Sequence, residues 1–328
     1  MEIPVEGNLG TLVISGQIST VEGRTLIQIG RTAPDRLPYA VRGSTVLLID
    51  HLENQIAMIE YDSGIYRLPG FQGVPGSLYH VEIILSTGAV YRSQPEMIPI
   101  ENLPLELSYT FGEDQAVNAD GATIRQKFIS IYASTSLNNL KNIRIGYIVN
   151  ETFMVSPTDF PDPFGSIPPP CFIDQKAEPN RIAQVSTRNI TGSKIENILI
   201  CKRNIDWTFL EKHYFTAYQT LLSEESFQYW SRVNTLANQT GSIFDTPPAQ
   251  IRGNIQNLAS PEETIWGYVQ SVNETTERFV LYPYDFPFPI FFSNENCTYN
   301  PNRTEQYSQY CLNCLTMKNS TLQRPDWF

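Results

Sequence analysis

The stretches 45–50 (TVLLID), 55–61 (QIAMIEY) and 65–68 (IYRL), with Asp62-Ser63-Gly64 between the last two, decide the fold class. Each is short, β-branched or aromatic, and bounded by turn formers, which is how strands rather than helices read. The pattern extends both ways. Upstream lie 11–19 (TLVISGQIS) and 25–30 (TLIQIG), parted by Glu22-Gly23; downstream lie 79–85 (YHVEIIL) and 89–93 (AVYRS), flanked by Pro75-Gly76 and Thr87-Gly88. No helical period appears among them.

Seven short strands at this spacing predict a β-sandwich of immunoglobulin or transthyretin type over residues 1–98. The order Val46-Leu47-Leu48-Ile49, Asp62-Ser63-Gly64-Ile65-Tyr66, Gly76-Ser77-Leu78-Tyr79 resembles the small sandwich of carboxypeptidase regulatory-like domains. That likeness implies a structural or adhesive module rather than a catalytic one. The segment 95–104 (PEMIPIENLP) carries three prolines and reads as a linker. Beyond it, residues 99–328 are expected to form a larger β-rich domain with one helix near 223–238. Ser223 suits its cap, Glu224 and Glu225 suit its positive end, and Phe227, Trp230, Val233 and Leu236 recur every third residue. The chain is therefore expected to be mainly β, with that one helix packed on a sheet.

The 23 Lys and Arg against 34 Asp and Glu leave a net charge of −11, which excludes a nucleic-acid partner. Only 17% of residues are charged while 41% are apolar, so the chain has enough apolar sequence to fold. Apolar runs stop at four or five residues, too short for a membrane-spanning helix.

Five cysteines point to an exported chain. Cys297, Cys311 and Cys314 lie in a tail rich in Asn, Pro and Tyr, where bridging would compensate for a poor core. The 311–314 CxxC could instead be redox-active or half a zinc site, but the tail offers no His and no second CxxC. No signal peptide is read where Glu2, Pro4 and Glu6 follow Met1, so an exported chain would be a mature region. Seven Asn-x-Ser/Thr sequons, at Asn150, Asn189, Asn238, Asn273, Asn296, Asn302 and Asn319, keep a secreted glycoprotein as an alternative.

Catalytic signatures are missing from the sequence. His51, His80 and His213 fall in or beside strands, and no HExxH, GxSxG, GxxxxGK[ST] or GxGxxG occurs. Asp159 and Asp162 could hold calcium or act as an acid–base pair, but their proline-rich setting reads as a rigid loop. The expectation is no catalytic residue, no metal and no cofactor. Two aromatic-proline runs, 159–170 (DFPDPFGSIPPP) and 282–292 (YPYDFPFPIFF), cannot be central strands. Their rings either fold back as satellite core or form a stiff contact surface. Phe160, Phe164, Tyr284, Phe286 and Phe288 are the candidates for partner binding.

The stretch Leu221-Leu222-Ser223-Glu224-Glu225-Ser226-Phe227-Gln228-Tyr229-Trp230 is followed by Thr240-Gly241-Ser242-Ile243-Phe244-Asp245-Thr246-Pro247-Pro248, Gly253-Asn254-Ile255 and Pro261-Glu262-Glu263-Thr264-Ile265-Trp266-Gly267-Tyr268. The run resembles the family catalogued as domain of unknown function 4249, outer-membrane lipoproteins of Bacteroidota often encoded beside TonB-dependent transporters. The opening Leu12-Val13-Ile14-Ser15-Gly16 and the closing Cys311-Leu312-Asn313-Cys314 … Arg324-Pro325-Asp326-Trp327-Phe328 resemble that family as well. Asn313 replaces its usual acidic residue, Ser320-Thr321 its glycines, and Phe328 follows Trp327. The resemblance implies lipid anchoring on a cysteine ahead of Met1, at the extracellular face of the outer membrane. It also implies a non-catalytic role docked on an outer-membrane β-barrel protein, a TonB-dependent transporter, assisting ligand capture or covering the pore. A subunit of a secretion or insertion assembly, a surface hydrolase and a stand-alone binding protein are the alternatives. It covers Cys171, Cys297, Cys311 and Cys314, which implies two bridges of undetermined pairing. Cys201, in the apolar strand 198–201, has no counterpart and is expected to be a buried, inert thiol, with a Cys171–Cys201 bridge as the alternative.

Overall fold

The computed structural model describes residues 10–33, 39–117, 121, 123–138, 140–155, 169–190, 192–238, 251–290 and 313–328. The chain is mainly β, as its alternating apolar residues predict. Strands β1 (Leu12–Ser19), β2 (Leu26–Arg31), β3 (Tyr39–Ala40), β4 (Thr45–Asp50) and β5 (Gln55–Ala57) come first. Then follow β6 (Ile59–Asp62), β7 (Ile65–Arg67), β8 (Leu78–Ile84), β9 (Val90–Ser93) and β10 (Glu96–Met97). Longer strands succeed them: β11 (Glu106–Val117), β12 (Thr123–Ser136), β13 (Arg144–Val155), β14 (Cys171–Lys176) and β15 (Ala183–Ser186). The rest are β16 (Lys194–Asn204), β17 (His213–Leu221), helix α1 (Glu224–Asn238), β18 (Ile255–Asn257), β19 (Val269–Leu281) and β20 (Ser320–Thr321).

One 11-stranded sheet forms the spine, in the order β20-β14-β13-β17-β19-β1-β2-β7-β6, with β15 on β13 and β3 on β2. A six-stranded sheet, β18-β9-β8-β4-β5 with β10 on β8, covers one end of it. Between them lies a core that includes Leu12, Ile14, Ile27, Leu48, Val81 and Ile83. A three-stranded sheet, β11-β12-β16, covers the other end over a second core that includes Ile129, Ile131, Ile145, Phe215 and Ala217. Alternation explains both: each strand turns every second residue inward, and two sheet faces exclude water from between them.

The expected division at residues 98/99 is corrected. Strand β1 runs parallel to β19, with Gly16 opposite Val269 and Ser19 opposite Val272. Strand β18 pairs with β9, and Ile265 and Val269 enter the first core. The N-terminal sandwich is thus completed by strands from the far end of the chain, and the two sandwiches share a sheet. Close backbone approach makes the junction possible. Gly267, at φ +101°, lies where a Cβ would overlap the Ile14 carbonyl, so only glycine lets the chain run tight along β1.

Segment 95–104 is not a free linker. It lies across the seam, with its carbonyls taken by side chains: Asn273 Nδ2 donates to Pro99 O and Glu101 O, and Thr275 Oγ1 to Leu103 O. Gln219 Nε2 bonds the Leu103 and Pro104 carbonyls. Helix α1 begins where the sequence predicts. Ser223 Oγ accepts from Ser226 N at 3.0 Å, and Ser226 and Trp230 both donate to Gln270 Oε1.

Candidate functional site

The seam between 95–104 and the start of α1 opens into a cleft of about 480 Å³. Pro95, Met97, Pro99 and Ile100 form one wall, and Ser223 and Glu225 of the α1 N-terminus face them; Tyr268 and Asn254 also line it. Each wall is held from behind. Ile98 is fully buried in the first core, Tyr229 packs against Tyr268 with tilted rings whose centroids are 4.9 Å apart, and Asn254 bonds the Val269 backbone through both its amide atoms.

Glu96 is the unusual member. It pairs with buried Tyr79 across β8–β10, which turns its side chain inward and leaves it 8% exposed. Neither carboxyl oxygen has a hydrogen bond of good geometry, although the Ser223 and Tyr268 hydroxyls and the Ser271 amide lie close by, and the Ser271 hydroxyl is equally unmatched. Burial pushes the Glu96 carboxyl up to about 7. The nearby Ser223 and Tyr268 hydroxyls and the Ser271 amide pull the other way, and the charge of Glu225 adds to the rise. A carboxyl so placed changes charge near neutrality and has no cation among the residues that line the cleft.

At the rim of the cleft the same segment is apolar and exposed. Met97 and Leu78 stand directly opposite each other across β8–β10, and Ile100, 67% exposed, lies over Gly76. Val74 adjoins them through the Ser77 N to Val74 O bond. Backbone bonds from Ile98 N to Ser77 O and from Gly76 N to Ile98 O fix the two segments to each other.

The residues singled out from sequence are distributed otherwise. Phe286 and Phe288 are corrected as docking residues: Phe286, 8% exposed, is in the second core and Phe288 packs against it. Phe286 meets Phe111 and Phe209 at 4.9 and 5.7 Å, and Lys127 covers the Phe288 ring. Rings flanked by proline were as able to fold inward as outward, and the open edge of that core took them. Tyr284 is exposed and stacks on Tyr282. Phe160, Phe164, Asp159 and Asp162 lie outside the described residues, as do Cys297 and Cys311. Cys171 is bridged to Cys314, while Cys201 is buried and unbridged, its thiol pushed up to about 12 by burial. The Asn273 sequon is buried in β19 and bonded, so it offers no acceptor for a glycan in the folded chain.

His213 is fully buried. It stacks on Phe209 at 4.0 Å, and its Nε2 meets Glu151 Oε2 at 3.1 Å. Arg203 Nε reaches the same oxygen at 2.7 Å, and Gln175 takes the other. With His213 and Glu151 fully buried at its centre, this network binds β13, β16 and β17 together. Among the described residues, no group of three or more His, Cys, Asp or Glu could hold a metal ion, and no helix could cross a membrane.

A family model, described as Domain of unknown function (DUF4249), matches residues 1–278. The chain belongs to the DUF4249 family. In this DUF4249 chain the match spans both sandwiches, including β18 and most of β19, in keeping with strands shared between them. No curated protein matches it. One similar solved structure concerns the promiscuous specificity of carbohydrate-binding modules from the β-sandwich superfamily. It covers 60% of this DUF4249 chain and 96% of its own, at 4% identity and a TM-score of 0.17. A likeness so distant does not extend to what such modules bind.

Proposed function

We propose that this chain is a non-catalytic surface lipoprotein of the outer membrane of Bacteroidota. It docks on a β-barrel protein of the TonB-dependent transporter type and assists ligand capture. The observation that carries the reading is the exposed apolar patch of Val74, Leu78, Met97 and Ile100 beside the cleft. Exposed apolar clusters of this kind mark contact surfaces. This one rests on a proline-stiffened, hydrogen-bonded segment, so docking would cost little ordering entropy. The long extracellular loops of a barrel supply an opposite face. The patch replaces the Phe286–Phe288 region as the anchor.

The test is co-purification from detergent-solubilised membranes, with the partner identified by mass spectrometry. A transporter barrel should accompany the native chain and fall at least about tenfold with Leu78→Ser, Met97→Ser, Ile100→Ser, since anchors contribute on the order of 1–2 kcal/mol each. Undiminished recovery with that folded variant moves the interface elsewhere. A chain recovered alone, or with a secretion or insertion barrel, overturns the transporter reading.

A further inference from the structure

We propose that the cleft between segment 95–104 and the start of α1 binds a primary ammonium group carried on an apolar body, with Glu96 as its counter-ion. The inference rests on the ligand-capture half of the reading above and names the ligand's class.

Three observations lead to it. First, the acidic side chains lining the cleft are Glu96, Glu101 and Glu225, and its lining holds no Lys, Arg or His. Elsewhere in the described structure, buried carboxylates have cations: Glu274 pairs with Arg24 at 2.9 Å and Glu151 with Arg203 at 2.7 Å. Glu96, also buried at 8% exposed, has none. An uncompensated buried charge is costly, and a cation brought in by a ligand would remove that cost.

Second, the carboxylates do not converge on one point. The described residues offer no group of three that could hold a metal ion, so a compact inorganic cation is a poor fit. An ammonium has three donors, enough for one Glu96 oxygen and a neighbouring hydroxyl of Ser223 or Tyr268. Third, the remaining wall is apolar and ringed: Pro95, Met97, Pro99, Ile100 and Tyr268. Such a wall suits an alkyl or aromatic body, and the Tyr268 ring can face the cation.

Protons balance simply. With the Glu96 carboxyl raised by burial to about 7 and so partly protonated, binding of an ammonium favours the carboxylate, and the displaced proton leaves to buffer. Glu225 on the facing helix and Glu101 on the same segment strengthen the attraction, and Tyr268 stays neutral because burial raises its hydroxyl.

The experiment is isothermal titration calorimetry of the full chain with hexylammonium, and with hexan-1-ol as the uncharged control, in two pH 7 buffers of different ionisation heat. Hexylammonium should bind, hexan-1-ol should not, and the buffer dependence should report a net release of protons. Glu96→Gln should weaken binding about tenfold or more and abolish that release. Equal binding of the two probes, or unchanged binding by folded Glu96→Gln, overturns the proposal. If Glu96→Gln does not fold, exposed Glu225→Gln should weaken binding about threefold, and no change there overturns it. Ala-Leu-Leu amide with a free or acetylated amino terminus, and acetyl-lysine amide, separate a peptide terminus from a lysine side chain as the source. Ammonium binding without barrel co-purification removes the docking reading alone; the reverse removes this one alone.

Discussion

The side-chain amide of Asn273 on β19 donates to the Glu101 carbonyl at 2.7 Å, and to that of Pro99 at 3.1 Å. Segment 95–104 has three prolines that cannot donate to a ladder, and it meets the large sheet at the seam through its carbonyls. Asn273, Thr275 and Gln219 supply the donors from two strands beneath it. One wall of the cleft therefore depends on side chains of the large sheet.

Asn273→Ala removes both of those bonds and leaves two half-buried carbonyls without a partner. The expected loss is about 1–3 kcal/mol in urea unfolding. Because the segment would loosen before the sheet does, hydrogen exchange at Ile98 and Ile100 should quicken more than at Val81 and Ile83 of β8. Uniform quickening would show that Asn273 acts on the whole fold instead.

How much of this the sequence disclosed depends on the range of each signal. The strands around Val46–Ile49 and Ile65–Tyr66 were legible because turn residues and alternation are local. The Ser223 cap was legible for the same reason. The parallel pairing of Gly16 with Val269 was not, since no local pattern records a register between strands so far apart. Phe286 and Phe288 could be recognised as unusual, but a Phe-Pro-Phe run does not encode which way its rings turn. Glu96 gave no signal: one acidic residue among prolines becomes notable only once Tyr79 draws it inward.

Glu96 makes stability depend on pH in the direction opposite to most carboxylates. Its folded value, about 7, lies above the ordinary 4.5, so the folded state holds the extra proton between those values. Its stabilising effect is complete below pH 4.5 and is lost as pH rises to 7 and beyond, by an amount on the order of 3 kcal/mol. Glu96→Gln should flatten this slope and be more stable than the parent at pH 8. Urea midpoints at pH 5, 6.5 and 8 check it; parallel curves for the two proteins would refute it.

Glu151 behaves in the contrary sense. Burial works against its charge, yet the His213 hydrogen bond and Arg203 hold it below the ordinary carboxylate range. Its contribution is present above pH 4.5 and is lost as pH falls below it. Arg203→Met leaves Glu151 buried with His213 and Gln175 but no guanidinium, and should cost about 3–5 kcal/mol at pH 7. The deficit should shrink in acid, where Glu151 takes a proton. A thermal-unfolding series from pH 3 to 7 for both proteins measures it, and a deficit independent of pH would place the cost in lost packing.

The Cys171–Cys314 bridge ties the start of β14 to the turn Cys314–Thr316, across 143 residues of chain. Both sulfurs are buried in a small cluster with Phe153, Val155 and Ile173, too few apolar groups to hold the C-terminal segment alone. That segment then adds β20 to β14, seats Phe328 against Phe172 and Tyr214, and lays Trp327 over Arg278 at 3.6 Å. Replacing both cysteines by serine should cost about 2–5 kcal/mol, as expected for so long a loop. The loss should be local first: Trp327 fluorescence should shift to the red at urea concentrations where the β-sheet circular dichroism is unchanged. Thiol titration follows the same division. Cys201, buried and with its thiol pushed up to about 12, should not react with iodoacetamide in the folded, unreduced protein at pH 8. Denaturation without reductant should reveal one thiol if Cys297 and Cys311 are also bridged; three would leave Cys171–Cys314 as the sole bridge.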